Sequence, residues 1–270
     1  MSGIAIFGVT GRMGQALIRA LREQDAAQPL RLAGAVASPS SVRLGSDAAA
    51  DGLPTGVMVT AEADAALRHA AVAVDFSLPQ CVADNARACV TARVPLLVGA
   101  TGFDGATRDV LHGAAALIPV LIAPNTSIGV NLVARLVKLT TRALGPAYDV
   151  EISEAHHRAK RDAPSGTALA LGEVVAAERG TTLAEVAVFD RHGSSGPRKT
   201  GDIGFAVLRA GDIVGEHTVT FAVAGERVEI THRATDRVTF AHGALRAAAW
   251  LRGRAPGLYA MDDVLDFDQP

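Results

Sequence analysis

The sequence predicts an α/β protein: a doubly wound parallel sheet joined to a second α+β domain that carries a mixed sheet. Three observations predict it. Short apolar runs alternate strictly with helically spaced segments over the first ~127 residues. A glycine turn, Gly8 to Gly14, follows the first apolar run and opens a helix. After residue 200 the pattern changes to polar–apolar alternation, which suits a sheet with one buried face.

The elements follow in order. Gly3 to Gly8 is an apolar run ending in glycine, a buried parallel strand. Residues 11–24 carry Met13, Ala16, Leu17 and Leu21 at helical spacing. Leu30 to Ala37 is the second strand, Ala61 to Ala70 a helix, and Val72 to Phe76 the third strand. Pro79 opens a helix over 79–92, and Val94 to Gly99 is a strand despite Pro95. A helix over 104–116 and a strand over Val120 to Ala123 complete the alternation. A long amphipathic helix then runs from Ile128 to Leu144 and stops at Gly145-Pro146. Asp149 to Ser153 is a strand and 166–178 a helix. Strands are expected at 204–210, 217–223 and 226–232, and a last helix at 238–252. The Gly-, Ser- and basic-rich stretch Arg191 to Gly201 is read as a mobile loop. The chain therefore divides into a first domain of about 1–127 and a second of about 128–236.

Composition excludes several classes. Hydrophobic content of 49% with 20% charged residues excludes wholesale disorder. A net charge of −2 argues against a coat for nucleic acid, and 4% aromatic content argues against base-stacking platforms. The longest apolar candidate for a membrane span, Ala114 to Ala123, is short and broken by Pro119. No basic segment precedes an apolar one at the N-terminus, so no signal peptide is expected. Cys81 and Cys89 are read as reduced structural thiols of a cytoplasmic protein.

The glycine turn has the spacing GxxGxxG rather than GxGxxG. Between a strand and a helix, such glycines let a pyrophosphate approach the backbone at the helix N-terminus, the Rossmann-like arrangement. Two further strand ends, Gly99-Ala100-Thr101-Gly102 and Ala123-Pro124-Asn125-Thr126, reach the same carboxyl side of the sheet, or are ordinary turns. After the second strand, Ala37-Ser38-Pro39-Ser40-Ser41-Val42-Arg43 offers no carboxylate for ribose hydroxyls. Ser38, Ser40 and Arg43 suit a 2′-phosphate instead, so NADPH is the preferred expectation, with NADH possible.

The most informative stretch runs from Glu151 to Ala168. Ser165-Gly166-Thr167 should open a helix whose N-terminus cradles an anion, with His156, His157 and Lys160 just before it. Proton donors beside an anion cradle suit reduction of a carboxylate-bearing substrate, since hydride addition must be matched by a proton. A solvated basic loop is the plainer reading. A metal site is disfavoured, because adjacent histidines in an extended segment point to opposite sides. His69, His112, His192, His217, His232 and His242 are read as structural or surface residues.

The run from Glu154-Ala155-His156-His157 through Lys160 to Asp162-Ala163-Pro164-Ser165-Gly166-Thr167-Ala168 resembles the signature of the dihydrodipicolinate (4-hydroxy-tetrahydrodipicolinate) reductase family. The likeness extends to Gly8–Gly14, Asp75-Phe76-Ser77, Gly99–Gly102, Ala123–Asn131, Arg209–His217 and Glu229–Ala234, and so covers almost the whole chain. It implies His156 as proton donor/acceptor and Lys160 as second proton donor. It implies His157, Ser165, Gly166 and Thr167 as contacts of the small dicarboxylate substrate. Cofactor contacts would be Gly8, Val9, Thr10, Gly11, Arg12 and Met13, then Gly99, Ala100 and Thr101, then Ala123, Pro124, Asn125 and Thr126. Arg237 and Phe76-Ser77 resemble further cofactor-side residues. The resemblance implies a dinucleotide-binding domain of 1–127 plus 237–270, a substrate-binding and oligomerisation domain of 128–236, and a homotetramer. Many members have an acidic residue where this chain has Ala37, and Arg where it has Ser38, which bears on NADH use.

The expected function is NAD(P)H-dependent reduction of 4-hydroxy-tetrahydrodipicolinate in lysine and diaminopimelate synthesis. The alternative is a catalytically silent NAD(P)-sensing protein of the same fold. A semialdehyde dehydrogenase acting through cysteine is disfavoured, because neither cysteine is expected at a strand end.

Overall fold

The computed structural model describes residues 2–24, 30–193 and 196–266. They form two compact units, one of residues 1–128 with 237–270 and one of residues 129–236.

In the first unit the strands are β1 (Ser2–Phe7), β2 (Leu30–Val36), β3 (Val59–Thr60), β4 (Val72–Asp75), β5 (Leu96–Val98), β6 (Pro119–Ile122) and β12 (Gly257–Tyr259). The helices are α1 (Arg12–Glu23), α2 (Ala63–Leu67), α3 (Val82–Ala92), α4 (Gly105–Ala115), α8 (Val238–Leu251) and α9 (Met261–Leu265). The strands lie in the order β12-β6-β5-β4-β1-β2-β3, and every pairing between them is parallel. Ile4, Ala5, Ile6 and Phe7 of β1 are all fully buried, as a central strand covered on both faces requires. Ile4 and Ile6 pack with Leu17 of α1 and Ala241, Ala244 and Ala248 of α8. Ala5 and Phe7 face Ala86 of α3 and Leu111 of α4 on the opposite side. The chain leaves β1 toward β2 and β3, then returns to place β4 on the other flank of β1. Ligands of open α/β sheets bind at such a reversal, outside the carboxyl ends of the strands.

In the second unit the strands are β7 (Asp149–His156), β8 (Ala187–Val188), β9 (Ile203–Arg209), β10 (Gly215–Val223) and β11 (Glu226–Ala234). Its helices are α5 (Ile128–Leu144, whose first residue belongs to the other unit), α6 (Gly166–Glu178) and α7 (Leu183–Val186). The sheet order is β11-β10-β7-β9-β8. β10 is antiparallel to β11 and β7, whereas β7–β9 and β8–β9 are parallel, so the sheet is mixed. Val150, Ile152, Ile203, Phe205, Val219 and Phe221 form its inner face against Val133 and Val137 of α5 and Leu171 and Val175 of α6. Outward residues of β10 and β11 are mostly polar, and Thr218 and Thr231 bond across these strands at 3.0 Å, whereas β9 turns Ala206 and Leu208 outward.

Several elements differ from expectation in extent. β7 runs to His156 rather than stopping at Ser153, because Ala155 pairs with Glu216 and His156 with Arg209. The expected helix 79–92 starts with a 3₁₀ turn, Pro79–Cys81, before α3. β3, β8, β12, α7 and α9 were not expected; each has at most five residues, too few to show a period. Of the 191–201 stretch, residues 194 and 195 lie outside the described residues, as do 1, 25–29 and 267–270.

Candidate active site

Strand period places the polar centre of the second unit. Val150, Ile152, Glu154 and His156 alternate along β7 onto one buried face. The first two are core, and the last two continue the same face as a carboxylate and an imidazole. Cross-strand register sets His217 of β10 opposite Glu154. The His156 ring fills the space that a side chain at Gly215 would take, with Nε2 3.0 Å from the ideal Cβ position.

Glu154 has a fully buried side chain and four donors. Its Oε2 accepts from His156 Nδ1 at 2.7 Å and from Arg209 Nη1 at 2.7 Å. Its Oε1 accepts from Arg209 Nη2 at 2.7 Å and from the Ser165 N–H at 2.9 Å. Burial alone would raise its pKa, but the Arg209 fork, His156 and the Ser165 N–H outweigh it and hold the carboxyl below its usual range. His156 is pushed below its ordinary value by burial, and the Glu154 carboxylate opposes that shift only in part.

Ser165 caps α6: its Oγ accepts from the Ala168 N–H at 3.2 Å. No acidic residue occupies the first turn of α6, so no carboxylate of the helix itself opposes an incoming anion. Gly166 is exposed and Thr167 half-buried at this end. Lys160 pairs with Asp162 Oδ2 at 2.8 Å, while the Asp162 carbonyl accepts from Arg209 Nη2 at 2.6 Å. Burial raises the Asp162 pKa but is outweighed by its bond to Lys160, leaving the carboxyl below its usual range. His157 is half-buried just past the end of β7, and its carbonyl accepts from the Lys160 N–H at 3.1 Å. Glu154 and Arg209 thus tie together His156, the Ser165 cap and the Lys160–Asp162 turn.

In the first unit, the segments read as cofactor contacts follow the carboxyl ends of three strands: 8–13 after β1, 99–101 after β5, and 123–126 after β6. Gly8 has φ +77°, and a Cβ there would lie 2.7 Å from the Phe76 carbonyl oxygen. A Cβ at Gly14 would lie 2.4 Å from the Val9 carbonyl oxygen, so α1 starts hard against the turn. The N-cap of α1, Gly11, makes no side-chain cap, and the first turn carries no acidic residue. Such an end leaves N–H groups and a positive dipole for an anion, so these residues fit a dinucleotide pyrophosphate. The Phe76 ring packs on Gly99, and Thr126 Oγ1 donates to the Phe240 carbonyl of α8 at 2.7 Å, pinning the third segment. Arg237 is the N-cap of α8.

The loop after β2 departs from the sequence expectation. Arg43 Nη2 donates to the Asp47 and Ala49 carbonyls at 2.6 and 2.7 Å, so its guanidinium serves its own loop. Ser38 and Ser40 bond each other at 2.9 Å. Cys89 is buried in α3, where desolvation pushes its thiol up, which does not suit a nucleophile; Cys81 lies in the 3₁₀ turn ahead of α3. Sequence reasoning missed three participants. Glu154 and Arg209 stood inside quoted motifs without a role, and His217 was read as structural or surface. Strand register was the one available signal: Glu154 and His156 are two apart, and such a pair shares a face once the strand is extended.

Comparison with known proteins gives a consistent result. A family model described as dihydrodipicolinate reductase, N-terminus, matches residues 2–126, and one described as dihydrodipicolinate reductase, C-terminus, matches residues 129–265. The 4-hydroxy-tetrahydrodipicolinate reductase of Thiobacillus denitrificans is 51% identical over 97% of this chain and 97% of its own. The enzyme of that name from Pseudoalteromonas atlantica is 46% identical over 98% and 99%. A dipicolinate-bound dihydrodipicolinate reductase from Paenisporosarcina sp. TG-14 superposes with a TM-score of 0.76 at 22% identity, covering 96% of this chain and 97% of that one.

Proposed function

The chain belongs to the dihydrodipicolinate reductase family, and on that premise we propose that it reduces 4-hydroxy-tetrahydrodipicolinate to tetrahydrodipicolinate with a nicotinamide cofactor. Near-full-length identity of about half to enzymes of that name favours an oxidoreductase over a silent sensing protein. The observation that carries the chemistry is the buried Glu154–His156 pair at 2.7 Å, held in one network with the N-cap of α6.

When bound, the reduced nicotinamide supplies hydride. The residues assigned to hold it are Gly8 to Met13, Gly99 to Thr101 and Ala123 to Thr126. The open N-terminus of α1 supports this for the pyrophosphate. The matching proton comes from the protein. His156 Nδ1 is engaged by Glu154, so the proton it exchanges is carried on Nε2. Lys160 Nζ, paired with Asp162 Oδ2 at 2.8 Å, is the second donor. The N-terminus of α6, with Ser165, Gly166 and Thr167, receives a substrate carboxylate, and His157 stands beside it.

NADPH remains the preferred cofactor of this proposal, with NADH usable. It rests on the absence of a carboxylate from residues 37–43 and on Ser38 and Ser40, because Arg43 is bound within its loop. A cytoplasmic homotetramer completes the reading. Among the described residues no helix is long and apolar enough to cross a membrane. Light scattering tests the tetramer.

The deciding experiment supplies substrate in place, from pyruvate and aspartate semialdehyde through a synthase, and follows NADPH and NADH oxidation side by side. Substrate-dependent oxidation is expected with both, with the higher kcat/KM for NADPH. Binding of cofactor without substrate-dependent oxidation would sink the proposal.

A further inference from the structure

His217 takes no part in the proton transfers above, yet its surroundings define its chemical state. It is 5% exposed on the face of β10 that continues the core. Its Nε2 lies 2.9 Å from Ser165 Oγ, its ring meets that of His156 edge-on at 5.2 Å, and its Nδ1 is buried with no hydrogen-bond partner. Burial, with His156 adding to it, pushes its pKa down to about 4, so the ring is neutral at neutral pH.

A neutral imidazole carries one N–H, and the two tautomers are not equivalent here. A hydrogen on Nδ1 would leave a buried donor with no acceptor. A hydrogen on Nε2 leaves only a lone pair unmet, which protein interiors tolerate better. The second tautomer is therefore the stable one, and Nε2 donates to Ser165 Oγ. That oxygen also accepts from the Ala168 N–H at 3.2 Å. A hydroxyl has two lone pairs and one hydrogen, so both acceptor positions are then filled and the hydrogen remains for a third partner.

We propose that His217 is a positioning residue: by donating to Ser165 Oγ it makes the Ser165 hydroxyl an obligate donor toward an anionic oxygen at the N-terminus of α6. The inference rests on the reading of Ser165 as a substrate-carboxylate contact. It adds a source of selectivity. An isolated serine accepts or donates as its ligand requires, whereas this one rejects a group that presents N–H and favours carboxylate over carboxamide.

The test compares wild type, His217→Leu, His217→Gln, Ser165→Ala and the His217→Leu/Ser165→Ala double variant. The readouts are kcat, KM and the Kd of pyridine-2,6-dicarboxylate. His217→Leu should raise KM and Kd by about 10-fold or more while kcat changes far less, because a bond to a charged oxygen is lost. His217→Gln, whose amide carries a donor to the position of Nε2, should restore most of the binding. In the Ser165→Ala background His217→Leu should add nothing further. If Ser165→Ala weakens binding but His217→Leu does not, or if the two losses simply add, His217 has no such role. If Ser165→Ala leaves KM and Kd unchanged, the carboxylate reading of Ser165 fails first and the proposal falls with it. A check that needs no variant is the ¹⁵N spectrum of the wild-type histidines. His217 should show hydrogen on Nε2, and hydrogen on Nδ1 would overturn the inference.

Discussion

Replacing Glu154 by Gln removes one charge and no volume, and the geometry determines how the amide must sit. Oε1 faces two donors, Arg209 Nη2 and the Ser165 N–H, neither of which can become an acceptor. Oε2 faces Arg209 Nη1 and His156 Nδ1, and only the imidazole can change its tautomer. The amide nitrogen must therefore occupy the Oε2 side. One donor–donor clash with Arg209 remains, worth about 1–3 kcal/mol of stability for a buried donor left unmet. His156 then accepts at Nδ1 and, when neutral, carries its hydrogen on Nε2. The carboxylate that opposed the effect of burial is gone, so the imidazolium is less stable and the histidine limb of the pH–rate profile moves to lower pH. Losing all acid–base catalysis costs about 10²–10⁴-fold, and His156 keeps its place, so kcat should fall by roughly 10- to 100-fold near neutral pH. KM should change less, because the cap of α6 remains. The assay is kcat and kcat/KM from pH 5 to 9 by cofactor oxidation, with ¹⁵N shifts of the His156 ring. An unmoved limb with Nδ1 still protonated in the neutral ring would refute the argument, whatever happened to the rate.

Other expectations follow from the same geometry. His156→Ala and Lys160→Ala should each lower kcat by about 10²–10⁴-fold with cofactor affinity retained; near-normal turnover in both would remove the acid–base assignment. Gly14→Ala places a Cβ 2.4 Å from the Val9 carbonyl oxygen, so the turn must open; titration with NADPH should show binding weakened by at least about 10-fold, and Tm should drop. Arg43→Ala should leave the NADPH/NADH ratio of kcat/KM unchanged, because the guanidinium serves the Asp47 and Ala49 carbonyls; a large fall in the ratio would show that it reaches the 2′-phosphate. His217 has a folded pKa of about 4 against an ordinary 6.5, so the unfolded chain binds its proton first as pH falls. Stability should therefore rise with pH between about 4 and 6.5, with a ceiling of about 3 kcal/mol from this group, and denaturant titrations of His217→Leu should show a shallower rise.

The legible and illegible parts of the sequence divide on physical grounds. Ile4-Ala5-Ile6-Phe7 reads as a central strand because burial on both faces leaves an unbroken apolar run. His217-Thr218-Val219-Thr220-Phe221 reads as a half-buried strand because its outward residues are polar. Short elements such as β3 and β12 are made by their partners: Val59 and Thr60 pair with Ala35 and Val36, and Gly257 to Tyr259 pair with β6. Local sequence carries no trace of such pairing. His156, Lys160 and Ser165 could be grouped from the sequence because they stand close together ahead of one helix start. Glu154 was not, since an acidic residue in a polar stretch looks solvated until a strand turns it inward. Arg209 and His217 lie 53 and 61 residues from His156, so only tertiary register brings them to it.

That register also explains how the histidine proposed for proton transfer, His156, comes to sit on a strand rather than in a loop. Glu154 and His156 continue the face that begins with Val150 and Ile152, and those two are locked into the packed core of the unit. β7 is hydrogen-bonded on both sides, to β9 and to β10, so its rotation is fixed by two ladders. A slip of one residue would carry the carboxylate and the imidazole to the outer face together with the core valine and isoleucine. The stability of the core is thereby the guarantee of the site's geometry. The cost is a buried charge, and the fold meets it with the Arg209 fork and the Ser165 N–H on the same carboxylate that orients His156. Arg209 arrives on β9 directly opposite His156, and Ser165 arrives as the cap of a helix whose Leu171 belongs to the same core cluster as Ile152. Each group that satisfies Glu154 is thus anchored in the element that also builds the core, which is what holding an acid–base group within a fraction of an ångström requires.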